Sequence, residues 1–203
     1  MHKTSIKTLL AIAAIGLFTG TVEADVANMR QLSSTAPPVG HLHFCRALPD
    51  ECQANGNAAE RVHLTEAAFH QLAAVNEVIN TQIAPITDDE LYHTPEHWTY
   101  PANAGDCEDY VLLKRHVLIQ NGWPASTLLI TVVLDEVGQG HAVLTVSTDR
   151  GDFILDNNTN EIRHWTETPY TYLKRQSHAH AGQWVALEGS LGAGQVFVGQ
   201  NRR

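Results

Sequence analysis

Gly105-Asp106-Cys107-Glu108-Asp109-Tyr110 stands where polar turn residues give way to the apolar run Tyr110, Val111, Leu112 and Leu113. A helix is predicted to begin there, with Asp106 as N-cap and Cys107 in the first turn, and to end near Gln120, before Asn121-Gly122 and Pro124. A thiol in a first helical turn faces unpaired backbone N–H groups, whose partial positive charge favours the nucleophilic thiolate. Most free cysteines are small buried hydrophobes. Three carboxylates and a glycine around this one predict instead a polar, accessible turn carrying a reactive cysteine.

Downstream the apolar period changes from helical to strand-like. Leu128 to Leu134, His141 to Thr148 and Phe153 to Asp156 read as three strands, joined by turns at Asp135 to Gly140 and Asp149-Arg150-Gly151. This predicts an antiparallel meander packed on the cysteine helix, an α+β architecture of the papain-like or transglutaminase-like kind. His141 and Asp156 fall on adjacent strands. They stand directly opposite if the turn centres near Thr148; with a tight Arg150-Gly151 turn Asp156 faces Thr145 and a bulge is needed.

Helix, histidine strand and acid strand follow in the order a thiol hydrolase needs. His141 would take the proton of Cys107, Asp156 would fix the imidazole tautomer, and the Cys107 N–H would receive the developing oxyanion, with Trp98 as a second donor. A lone histidine opening a strand is more often structural, and Asp156-Asn157-Asn158 alone is an ordinary turn. The combination carries the expectation.

Upstream, Thr65 caps a predicted helix running to about Ile83, with Phe69, Leu72, Val75, Ile79 and Ile83 on one face and Pro85 after it. Residues 88–101, rich in acids, histidines and aromatics, read as irregular, and Asp25 to Gly40 as an exposed, unpatterned leader. Before that, Lys3 and Lys7 precede the apolar stretch Thr8 to Phe18 and the small-residue site Val22-Glu23-Ala24. This pattern predicts a signal peptide cleaved after Ala24, its apolar stretch being roughly half the length of a membrane-spanning helix.

The expected organisation is a signal peptide (1–24), an N-terminal segment with a disulfide (25–60), the catalytic domain (61–187) and a Gly-rich tail (188–203). The formal charge of −9 becomes −10 once Lys3, Lys7 and Glu23 are removed, which argues against nucleic acid or anionic lipid as a partner. No second apolar run of spanning length follows, so no stable membrane insertion is expected after cleavage. With three cysteines in an exported chain, Cys45 and Cys52 are expected to pair and Cys107 to remain free.

Gly105 to Tyr110, Gly122-Trp123-Pro124, Gly140-His141-Ala142-Val143-Leu144 and Gly151 to Asn157 together resemble the bacterial transglutaminase-like cysteine peptidases, which include the LapG-type periplasmic proteases. The resemblance covers about Phe44 to Leu187. It implies a papain-like fold with Cys107, His141 and Asp156 as the triad. It also implies cleavage of exported surface adhesins near their N-termini, a periplasmic location, an inner-membrane receptor that responds to a cyclic dinucleotide, and Ca²⁺ bound by the acids beside the cysteine.

Asp106 and Glu108 match the family's calcium positions, and Asp109 adds a third carboxylate. Three negative charges should raise the pKa of Cys107, and a divalent cation held by hard oxygen ligands would offset them. Helix capping explains one or two of these acids without a metal. Twelve histidines include the pairs His41/His43, His93/His97 and His178/His180, but no zinc-ligand pattern, and Pro95 disfavours a helix through the middle pair. The leading expectation is a calcium-dependent endopeptidase. A transglutaminase or deamidase using the same thioester, and a non-catalytic protein-binding module, are the alternatives.

Overall fold

The structure, a computed structural model, describes residues 28–56 and 59–190. The expected signal peptide and the tail beyond residue 190 lie outside them. Its elements in chain order are β1 (Gln31–Thr35), α1 (Val39–Ala47), α2 (Glu66–Gln82), β2 (Ala84–Pro85), α3 (Asp88–Tyr92), β3 (Ala104–Gly105), α4 (Cys107–Gln120), β4 (Leu128–Leu134), β5 (Gly140–Thr148), β6 (Gly151–Leu155), β7 (Arg163–His164), β8 (Thr171–Gln176) and β9 (Trp184–Leu187).

The β-branched, apolar run of β4 suits a strand buried on both faces, and β4 and β5 form the centre of a seven-stranded sheet ordered β1-β9-β8-β4-β5-β6-β7. Each pairing in it is antiparallel. Alternation then divides the core. Ile130, Val132, Ala142, Leu144 and Val146 pack with Val111 and Leu118 of α4, while Val133, Val143, Ile154, Tyr172 and Leu187 pack with Met29. Thr131 and Thr145 satisfy each other through a buried hydroxyl contact of 2.6 Å.

Helix α4 is buried nearly all round, from Cys107 to Leu118. Its outer side meets α2, where Thr65 caps by accepting from the Ala68 N–H and where Ile79 and Ile83 pack on Tyr110. The predicted apolar face of α2 also carries Asn76, fully buried, whose amide donates to the carbonyls of Thr159 and Asn160.

Two stretches differ from the sequence reading. The segment read as an unpatterned leader contains β1, whose side chains are mostly exposed and which pairs with β9 at the sheet edge. A strand with little burial leaves no alternating pattern to read. The preceding residues are tied down by Asp152, which accepts from the Met29 N–H, the Asn28 amide, Ser147 and the guanidinium of Arg175. The stretch read as irregular opens with α3, held by a capping box between Thr87 and Glu90.

Candidate active site

The polar turn ahead of α4 is anchored by parallel pairing of β2 with β3, and Cys107 enters the helix there as predicted. The turn is not open to solvent. Cys107 is 6% exposed, and beneath Gly105 the Asp109 side chain packs so closely that a Cβ at residue 105 would lie 2.4 Å from its Oδ2. The thiol donates to Glu108 Oε2 at 3.2 Å and its sulfur accepts the Ala142 N–H at 3.4 Å. Burial, then the charges of Glu108 and Asp106, push its pKa well above the ordinary thiol value; the Ala142 N–H acts in the opposite sense.

His141 precedes Ala142 on β5. Its Nε2 lies 2.9 Å from Asp156 Oδ1, with both residues buried. The same Oδ1 accepts the Asn158 N–H, and the Tyr170 hydroxyl donates to Oδ2 at 2.5 Å. Burial works to raise the Asp156 pKa, but the hydrogen bonds from His141, Asn158 and Tyr170 and the charge of His141 prevail, leaving it at about 2. The pairing of Leu144 with Leu155 and Thr148 with Gly151 places the turn between the two registers considered from sequence. Asp156 therefore follows the residue level with Leu144, and its bond to His141 crosses the ladder diagonally. Thus Asp156 and His141 form a pair, and Cys107 joins them through the residue next to His141, its thiol turned to Glu108.

The acids around Cys107 divide by geometry. Ligand oxygens of Asp88, Asp106 and Glu108 lie within 4.8 Å of one another, all three residues are buried, and Asp88 Oδ1, Asp106 Oδ1 and Glu108 Oε1 meet no hydrogen-bond donor in the protein. Asp106 occupies the N-cap position without making a side-chain cap bond; its Oδ2 accepts the Asp88 N–H instead. Asp109 stands apart, its Oδ1 accepting the Thr99 N–H at 2.9 Å. Burial first, then neighbouring carboxylates, raise the pKa of Asp106 to about 7, of Asp109 to about 8, and of Glu108 well above its ordinary value. Orphaned buried oxygens from three carboxylates are a donor set suited to a hard divalent cation.

Trp98, expected as an oxyanion donor, gives its indole N–H to Glu96 at 3.0 Å and is buried against α1, where Gly40 leaves no room for a Cβ beside the ring. The cysteines Cys45 and Cys52 are joined as a disulfide, so the neighbouring His41 faces no free thiolate. Asp88, Tyr170 and Asn158 were not singled out from sequence. Thr87-Asp88 shows only a helix cap, and Tyr170 lies fourteen residues past Asp156 in an unpatterned turn; no local signal marks either.

A helix-borne cysteine beside a strand-borne histidine paired with an aspartate just past the next strand, on an α+β scaffold, is the architecture of papain-like and transglutaminase-like cysteine peptidases. Residues 31–191 match the bacterial transglutaminase-like cysteine proteinases, and the chain belongs to that family. Among solved structures it is similar to LapG of Legionella pneumophila. The calcium-bound form aligns with a TM-score of 0.51 at 24% identity over 63% of this chain and 72% of that one. A second LapG structure aligns at 0.50 and 23% identity over 68% and 76%. At this identity the likeness establishes the fold. No curated protein matches the chain significantly.

Proposed function

We propose that this cysteine peptidase is an exported endopeptidase that cuts a periplasmic or surface protein through a Cys107-His141-Asp156 triad and a thioester intermediate. The observation that carries the reading is the buried His141–Asp156 pair, followed at once in β5 by the N–H that touches the Cys107 sulfur. Asp156 engages Nε2, so Nδ1 is the nitrogen that takes the thiol proton once the S–H leaves Glu108. The thiolate attacks the scissile carbonyl, and the Cys107 N–H, in a first turn without intrahelical acceptors, donates to the oxyanion. The imidazolium protonates the departing amine; His141 then activates water, which releases the acyl group and restores the thiol. Trp98, whose indole N–H is given to Glu96, is not called on as the second donor in this step.

Asp88, Asp106 and Glu108 are the residues that would hold Ca²⁺, with Asp109 behind them. The ion would supply positive charge against the carboxylates that oppose thiolate formation. The calcium-bound relative is consistent with that choice of metal. The Cys45–Cys52 disulfide supports an oxidising compartment, and no helix among the described residues is long and apolar enough to cross a membrane. A surface adhesin as substrate and an inner-membrane receptor as regulator rest on the family resemblance.

Mass spectrometry of an exported adhesin incubated with the enzyme and calcium tests the reading. A new chain terminus, absent with Cys107→Ala, is expected. A one-dalton gain or a cross-link without a new terminus would replace proteolysis by acyl transfer.

A further inference from the structure

His141 Nε2 meets two side chains. One is the Asp156 carboxylate, with Oδ1 at 2.9 Å; the other is the amide of Asn158, whose Nδ2 stands 3.2 Å away. The backbone N–H of Asn158 donates to the same Asp156 Oδ1 at 3.0 Å, so one residue touches both members of the pair. His141 and Asp156 are buried and Asn158 is exposed, which makes its side chain part of their cover. An exposed asparagine ordinarily holds no fixed geometry. This one stands on a clamped loop. The Asn80 amide of α2 donates to the carbonyls of Asp156 and Thr159 and to Asn160 Oδ1, and one turn earlier the Asn76 amide donates to the carbonyls of Thr159 and Asn160.

The two ends of a side-chain amide have the same shape, and the hydrogen-bond network decides which of them faces the ring. Asp156 faces three groups able to donate, namely His141, the Asn158 N–H and the Tyr170 hydroxyl, a set that suits an ionised carboxylate and leaves the proton on Nε2. An N–H set against an N–H gains nothing. The amide oxygen is the end that suits the ring, and the Nε2–H is then forked between two oxygens. We infer that Asn158 is a positioning residue of the peptidase, bridging the His141–Asp156 pair: its backbone N–H fixes the carboxylate, and its side-chain oxygen is a second acceptor for the His141 Nε2–H. The inference rests on the triad reading above. Once Nδ1 has taken the thiol proton, Nε2–H carries part of the imidazolium charge, and a second oxygen on it favours that form.

The test uses the folded, calcium-supplied full chain, iodoacetamide at neutral pH as the probe of Cys107, and the proton resonance of His141 Nε2–H as a second readout. Asn158→Ala should slow alkylation by about threefold, the scale of one neutral hydrogen bond, and broaden the resonance as the Nε2–H opens to exchange with water. Asn158→Asp, which has the same shape and an oxygen at both ends, should recover both. In an Asp156→Ala background Asn158 is the acceptor that remains, so Asn158→Ala should cost more there, about tenfold. Should Asn158→Ala unfold, Asn158→Ser takes its place. Unchanged alkylation with an unbroadened resonance, an Asn158→Asp variant as slow as Asn158→Ala, or an equal cost in both backgrounds overturns the inference while leaving the triad in place. If wild type is alkylated no faster than His141→Ala, the triad reading fails and this inference with it.

Discussion

The Cys107 thiol donates to the Glu108 carboxylate of the next residue, 3.2 Å away, while its sulfur accepts the Ala142 N–H at 3.4 Å. The nucleophile is therefore held as a thiol by the same carboxylate that, with Asp88 and Asp106, offers oxygens to a cation. Protonation of Cys107 and the charge of this acid cluster are linked.

Removing that charge should free the thiol. In excess chelator, Asp106→Asn with Glu108→Gln should alkylate at Cys107 at lower pH than wild type, because two of the charges that raise its pKa are gone. Calcium should shift wild type the same way and leave the double variant unmoved. Alkylation rate against pH, with calcium and with chelator, reads this directly; superimposable wild-type curves would remove the metal from the account.

Stability should depend on pH in an unusual sense. Folded Asp106 and Asp109 keep their protons to about pH 7 and about pH 8, whereas the unfolded chain loses them in the ordinary carboxylate range. Their contribution is then fully present below that range and is lost as pH rises through it to about 8. Asp152 and Asp156, held low, act oppositely only at the acid end. Without calcium the melting temperature should fall from mildly acid to mildly alkaline pH, and saturating calcium should flatten the trend. A chelator-treated protein that gains stability over that interval would contradict the burial of these acids.

Cys107→Ala and His141→Ala should each lower turnover by roughly 10⁴-fold or more, since they act as a unit, while Asp156→Asn should retain about a hundredfold more activity than either. All three should keep the wild-type circular dichroism. Substantial turnover by His141→Ala would assign the base elsewhere.

Reduction of Cys45–Cys52 closes no catalytic gap but releases α1 from the short helical turn at Pro49–Cys52. An eight-residue loop should be worth about 2–3 kcal/mol, or a melting temperature lower by roughly 5–10 °C in a domain of this size. Calorimetry with and without reductant measures it. An unchanged melting temperature would mean that packing of Phe44 and His41 holds α1 unaided.

Crowding between α1 and Trp98 gives a sharper local test. Gly40→Ala would bring its Cβ to 2.2 Å from Trp98 Cδ1 and 3.0 Å from Glu96 Oε2, so the ring and its carboxylate partner must move. A loss of about 1–3 kcal/mol is expected, with a changed Trp fluorescence. Wild-type stability and fluorescence would show that the contact relaxes freely.

The start of α4 at Cys107, the cap of α2 at Thr65, the succession β4, β5, β6 and the Cys45–Cys52 pair were all legible in the chain, because each rests on neighbours within one or two turns. Other features were not. β1 pairs with β9 across most of the chain, with side chains that are mostly exposed and so show no apolar alternation. Asp88 joins Asp106 and Glu108 only because β2 and β3 pair in parallel.

By itself the sequence pointed to the residues proposed as reactive and determined which elements carry them, since charge, capping and apolar period act locally. Only the tertiary structure decided that the thiol is buried against Glu108, that Asp88 and not Asp109 completes the carboxylate cluster, and that Asp156 reaches His141 diagonally with Tyr170 at its other oxygen. Those outcomes depend on strand register and on burial, where a shift of one residue or a few ångströms changes which polar atoms meet and how strongly their charges act.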